Sequence, residues 1–210
     1  LKQFTQAFRR DRTPELLGKL FKQHYPNETS KTARDVKRSV LHDRLLAAGA
    51  YFTEGHAWEV PDWFAPSPEQ AKIEEYSWFR QNWFEWHAEE HKAAREAVVL
   101  MDMTLMSKFI IQGRDACALL SRLSCNQIDV EPGHIVYTQW TNEQGGFEGD
   151  LTVTRLEQDK FLVICGENAP GHTEQHMRKH MRDDEFVTIY DATAGITQIN
   201  IHGPKSRDLM

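Results

Sequence analysis

Cysteine is scarce in this chain. Cys117, Cys125 and Cys165 form an odd set with no CxxC pair among them, so neither a disulfide framework nor a zinc site is suggested. They read as reduced thiols in a cytosol-like compartment. No apolar run approaches the roughly 18 residues that a membrane helix needs, and Leu1 opens the chain without a signal-peptide pattern. No membrane partner is expected. Positive charge is not in excess either, since 25 Lys and Arg stand against 31 Asp and Glu, a formal net charge of -6. Counterion release needs clustered cations, which argues against nucleic acid as a partner.

What is present is the composition of a globular protein: 40% hydrophobic residues, both charge signs and 210 residues in all. That is enough for one large domain, or a domain with a small appendage, whose core needs no staples. Both ends read as cut. The chain opens at Leu1 rather than Met and stops at Pro204-Lys-Ser-Arg-Asp-Leu-Met210, which has the form of a helix's opening turn.

Leu16, Leu17, Leu20 and Phe21 have helical spacing, which predicts a first helix over Pro14 to Tyr25 with Thr13 as its N-cap. Asn27 to Arg38 is polar, basic and aperiodic, a linker or an extended arm whose partner is expected outside the chain. Leu41 to Ala48 reads as a helix capped by Gly49, with a strand starting at Ala50. Ala57 to Pro68, with three prolines, predicts an irregular segment pinned by buried Trp58 and Trp63. Glu85 to Leu100 returns to helical periodicity.

The second half alternates between strand-like and helix-like stretches. Strands are predicted over Lys108 to Gln112 and Ile135 to Trp140, with a helix from Asp115 to Leu123 between them. Leu151 to Leu156 and Phe161 to Cys165 form a hairpin, followed by a helix over His172 to Met181 and strands at Phe186 to Tyr190 and Ile196 to Ile201. Without a steady βαβ rhythm, the expected fold class is α+β with a mixed or antiparallel sheet and packed helices.

Two constellations carry possible chemistry. His87-Ala-Glu-Glu-His91 matches the HxxEH pattern, in which two histidines on one helical face hold a metal. No third ligand follows at a suitable place, so a solvated helix face is the preferred reading and no metal is assigned. Asn142-Glu-Gln-Gly-Gly-Phe-Glu-Gly-Asp150 places paired glycines in a tight turn and an acidic residue at the entry of the next strand, where it can point into a cleft. An ordinary hairpin with Asp150 capping a turn has the same spacing. Tyr137, one strand earlier, can stack on a flat heteroaromatic ligand or serve as core. Met106 likewise lines a pocket or fills a core.

Taken in order, these segments resemble the aminomethyltransferase family: the T-protein of glycine cleavage and the folate domains fused to flavin-dependent dimethylglycine and sarcosine dehydrogenases. The residues are Ser39-Val-Leu-His-Asp-Arg-Leu through Gly49-Ala, Trp58-Glu-Val-Pro61, Glu89-Glu-His-Lys-Ala-Ala-Arg-Glu-Ala-Val, Asp102-Met-Thr-Leu-Met-Ser-Lys-Phe109, Gly145-Gly-Phe-Glu-Gly-Asp-Leu151 and His202-Gly-Pro-Lys-Ser206. Thr13-Pro-Glu-Leu-Leu17, His24-Tyr-Pro26, Arg38-Ser39 and Trp58-Glu-Val-Pro-Asp-Trp-Phe-Ala65 resemble the segment that joins a flavin domain to the folate domain in the dehydrogenase branch.

The resemblance implies residues 1–38 as a connecting segment after an FAD domain outside the chain, and 39–210 as the N-terminal part of a folate-binding domain. It implies oxidation of an N-methyl amine at a flavin site and transfer of the one-carbon unit to tetrahydrofolate, giving 5,10-methylenetetrahydrofolate. Asp150 takes the family's key acidic position, while Tyr137, Met106 and Asn168 take folate-pocket positions. The piece itself is expected to be inactive, and its compartment to be the cytoplasm, or the mitochondrial matrix in a eukaryote. Gly149 departs from the second acidic residue of many T-proteins, Leu105 from a common histidine, and Cys165 from a frequent asparagine. A non-enzymatic regulatory subunit of the same architecture, or a free aminomethyltransferase, is the alternative.

Overall fold

The computed structural model describes residues 5–23, 28–72, 77–168 and 170–210. The chain divides into two compact units: unit 1 is Leu1–Met103 with Ile199–Met210, and unit 2 is Thr104–Gln198.

Unit 1 opens with α1 (Gln6–Lys19), capped by Thr5, whose side-chain oxygen accepts the Phe8 amide at 3.2 Å. This corrects the expected start at Pro14, which lies inside the helix. The inward residues are Phe8 and Arg12, one turn apart, so the helix is anchored upstream of its leucines. Leu16, Leu17, Leu20 and Phe21 are exposed. The helix ends at Lys19, short of the expected Tyr25; residues 24–27 lie outside the described residues.

Residues 28–38 of the arm find partners within unit 1. Arg34 donates to Glu59 at 2.9 Å and to the Phe52 carbonyl at 3.0 Å, and Lys37 forms a parallel bridge with Trp58. Next comes α2 (His42–Ala47). The turn after it needs Gly49, because φ there is +90° and a Cβ would stand 2.3 Å from the Ala65 carbonyl oxygen.

β1 (Ala50–Gly55) pairs antiparallel with β2 (Trp58–Phe64), so the segment expected to be irregular is largely a strand. Pro61 is tolerated because both members of a two-stranded pair are edges. Trp58 and Trp63 are buried, as the sequence suggested, and Tyr51 stacks on Trp63 at 4.8 Å. α3 (Phe84–Glu96) follows. β3 (Val99–Asp102) then pairs antiparallel with β9 (Ile199–His202), and a short helix, Ser206–Leu209, closes the unit.

Unit 2 is a five-stranded antiparallel sheet, ordered β5-β6-β7-β4-β8. Its strands are β4 (Ser107–Gln112), β5 (Ile135–Thr141), β6 (Phe147–Glu157), β7 (Lys160–Cys165) and β8 (Thr188–Asp191). Two helices, α4 (Ala116–Leu123) and α5 (Pro170–His180), belong to the same unit. The last strand begins later than the expected Phe186, whose amide N–H is taken by the Asp115 carboxylate at 2.8 Å.

Apart from the buried Lys108 in β4, the central strands alternate in burial. Phe109, Ile111, Leu151, Val153, Phe161 and Val163 are buried with Leu119, Leu120 and Met177 of the helices, which identifies the helix-covered face. The intervening residues, including Ile110, Thr152, Leu162 and Ile164, are half-buried and define a second, more open face.

Candidate functional site

Register determines what the open face brings together. Asp150 on β6 stands directly opposite Gln139 on β5. Leu151 pairs with Cys165 and Cys165 with Ser107, so one step along, Asp150, Gly166 and Met106 fall on the next transverse row at the same end of the sheet. Tyr137 lies two residues from Gln139 and therefore on the same face. Asn168 follows two residues beyond Gly166, and its Oδ1 sits 3.0 Å from where a Gly166 Cβ would be. The four residues singled out from sequence thus gather at one end of one sheet.

Their environments differ. Asp150 is exposed, and as the fourth residue of β6 it lies within the strand rather than at its entry. It stands on an open sheet face, where the sequence suggested a cleft. Tyr137 is 58% exposed; the neighbouring Asp150 carboxylate holds its phenol above the ordinary pKa, while Gln139 pulls the other way. Met106 is half-buried; its sulfur accepts from Gln198 at 3.6 Å, and its carbonyl from the buried Lys108 ammonium at 2.7 Å.

Gln139 was missed in the sequence reading. It was findable, because alternation puts a residue two beyond Tyr137 on the same face. Gly149 is accounted for by its neighbours: a Cβ there would approach Leu151 and Trp140 at 3.4 and 3.8 Å, so a carboxylate at 149 would start from the covered side. A cavity of about 450 Å³ exists in unit 2, lined by residues such as Gln112, Arg114 and Phe186, and shares no residue with this group.

In unit 1, His87 and His91 stand edge to face with ring centres 4.6 Å apart. Glu90 accepts the Phe64 amide N–H at 3.0 Å, and burial raises its pKa against the pull of that bond and of the two histidines. Among the described residues, no three His, Cys, Asp or Glu side chains are grouped to hold a metal ion.

An exposed carboxylate with a phenol donor beside it, on an antiparallel sheet of this order, can receive a flat ligand rich in N–H groups. The class follows from comparison: residues 41–210 match the GCVT N-terminal domain model, and the chain belongs to that family. Its fold is shared with the glycine cleavage aminomethyltransferase T of Bartonella henselae, at a TM-score of 0.64 and 19% identity, over 82% of this chain and 42% of that one.

Three longer relatives are more particular. A 4-methylaminobutanoate oxidase (formaldehyde-forming) of Paenarthrobacter nicotinovorans is 40% identical over 95% of this chain and 24% of its own length. The mitochondrial pyruvate dehydrogenase phosphatase regulatory subunit of Mus musculus is 32% identical over 99% of this chain and 24% of its own. Mouse mitochondrial sarcosine dehydrogenase follows at 27% over 96% of the chain and 26% of its own length. The chain spans about a quarter of these proteins.

Proposed function

We propose that the chain is the folate-binding part of a flavin-dependent N-methyl amine dehydrogenase of the dimethylglycine or sarcosine type. The observation that carries this reading is that Asp150 stands opposite Gln139 and diagonal to Tyr137 on the open face, on the same transverse row as Met106. Similarity over nearly the whole chain to an oxidase and a dehydrogenase of methylated amines supports it. The open face supplies one wall of the folate site, and the remaining walls lie elsewhere in the full-length protein. The compartment that fits is the cytoplasm, or the mitochondrial matrix in a eukaryote.

The flavin, held outside this chain, supplies the two-electron oxidation that turns the N-methyl amine into an iminium ion. Bound tetrahydrofolate would supply N5 and N10 as acceptors of the one-carbon unit, and the two protons given up by those nitrogens would end on the amine, released as an ammonium ion, so that charge is conserved. Asp150 is the group placed to accept and return these protons, and its negative charge favours the cationic partner. Tyr137, still protonated at neutral pH, orients the carboxylate and offers its ring to the pterin. Met106 and Asn168 flank that ring.

In the full-length protein, Asp150→Ala is expected to turn N-methyl amine over while releasing formaldehyde in place of 5,10-methylenetetrahydrofolate. An unchanged yield of methylenetetrahydrofolate removes Asp150 from this role. The identity to the phosphatase regulatory subunit favours a second, non-enzymatic reading. Flavin absorbance bleached by an N-methyl amine in the complete protein excludes that reading, and a colourless protein that engages a phosphatase supports it.

A further inference from the structure

The β5–β6 ladder contains an irregularity just before Asp150. Trp140 pairs with Gly149 and Thr141 with Phe147, which leaves Glu148 as an extra, unpaired residue. Such a bulge breaks the alternation and re-aims one side chain. Phe147 and Asp150 are exposed, while the Glu148 side chain is only 20% accessible.

The Glu148 carboxylate uses both oxygens. Oε1 accepts from Asn142 Nδ2 at 3.0 Å, and Oε2 meets Nε2 of His172 on α5 at 2.7 Å. Asn142 closes the turn in its own right, since its Oδ1 accepts the Gln144 and Gly146 amides at 3.1 and 2.8 Å. Helix α5 is a fixed anchor because Thr173, His176 and Met177 are buried in unit 2, and the His176 ring stacks on Trp140 at 5.8 Å. A continuous chain of contacts therefore runs from the core-anchored helix through His172 and Glu148 to the turn that feeds β6.

We infer that Glu148 is a positioning residue, which ties the bulge to α5 and so sets where the Asp150 carboxylate stands. This rests on the folate reading above. Two residues along the same strand, a shift in the bulge displaces Asp150 directly, and proton transfer is sensitive to displacements of that size. The Asn142 and His172 contacts hold the Glu148 carboxyl below its ordinary range, so at neutral pH it is available as an acceptor for both.

The test uses the full-length protein and reads methylenetetrahydrofolate formed per amine oxidised, with the folate KM and kcat of transfer determined separately. Glu148→Ala is expected to lower kcat for transfer by on the order of tenfold, with a smaller change in KM. Glu148→Gln, which keeps an acceptor for Asn142 and a polar group against His172, should restore most of the loss. His172→Ala should fall between them. Thermal melting of each variant separates a displaced carboxylate from lost folding, because Glu148→Gln and Glu148→Ala should melt within a few degrees of each other.

If Asp150→Ala, run alongside, uncouples transfer while Glu148→Ala does not, the positioning role is overturned and the folate reading stands. If Asp150→Ala has no effect on coupling, Asp150 loses its role and the positioning of it by Glu148 falls as well; if the wild-type protein forms no methylenetetrahydrofolate at all, the folate reading itself fails. If Glu148→Gln is as impaired as Glu148→Ala at equal stability, positioning through these contacts is likewise overturned.

Discussion

Unit 2 closes its sheet over Phe109, Ile111, Phe161 and Val163, all at 0% exposure, within one continuous apolar cluster. Unit 1 instead gathers a small cluster of Trp63, Ala65 and Ala71, and buries Arg12 and Glu59 as well. Its distant segments are joined by polar clasps: Arg12 to Glu54 at 3.0 Å, the Thr32 amide to Glu15 at 2.8 Å, Arg34 to Glu59, and Ser39 to Asp102. Unit 2 also buries Lys108 and Arg155, yet these accompany an apolar core already complete. The difference teaches that one unit should fail through lost packing and the other through lost charge pairing.

The sharpest test of that contrast is Phe109→Ala. Truncating a fully buried aromatic is expected to cost about 3–5 kcal/mol, measured by urea unfolding, with the loss insensitive to salt and to pH near neutrality. A cost under about 1 kcal/mol would mean that the sheet's core is not what holds unit 2.

Next comes Glu59→Ala, which strands Arg34 and is expected to cost about 3 kcal/mol. Burial pushes the Glu59 carboxyl up, but Arg34 and the Asp35 amide outweigh it, so its folded value is lowered. A lowered carboxylate stabilises above its unfolded pKa, and this contribution drains away as pH falls from about 4.3 through the folded value. Acid titration of wild type and variant should converge at the low end; parallel curves would remove Glu59 from the account.

The smallest effect is expected at His176, whose Nε2 is buried with no hydrogen-bond partner among the described residues. Burial first, then His180, lowers its pKa, with His172 and Lys179 adding and Glu148 opposing. The folded state thus favours neutral imidazole, so stability is full above the unfolded value of about 6.5 and declines as pH falls through it. His176→Phe should flatten that decline and gain about 1 kcal/mol by removing the orphaned nitrogen. A variant whose stability still falls between pH 7 and 5 as steeply as wild type would place the sensitivity elsewhere.

These expectations also mark what the sequence could disclose. The strands and helices of unit 2 were legible because apolar residues recur with strand or helix period and one continuous core takes the inward set. The approach of Tyr137, Asp150 and Met106 was legible only through family order, since register across three ladders is non-local. The bulge at Glu148 was not, because an extra residue is defined only against the register of the partner strand. Helix α1 was misplaced because half of its inward face is Arg12, a residue that periodicity counts as polar. The arm's partner, Glu59, is equally hidden, 25 positions from Arg34.

The interrupted sequence of unit 1 bears on synthesis. Strand β3 waits for β9, and all of Thr104–Gln198 emerges between them. The inserted unit has its own ends latched, with the Gln198 amide donating to the Thr104 hydroxyl at 3.3 Å. A nascent chain can therefore complete the five-stranded sheet before the outer pair zips shut. The same latch makes Thr104 and Gln198 natural points at which to lift that sheet out as a free-standing recombinant module.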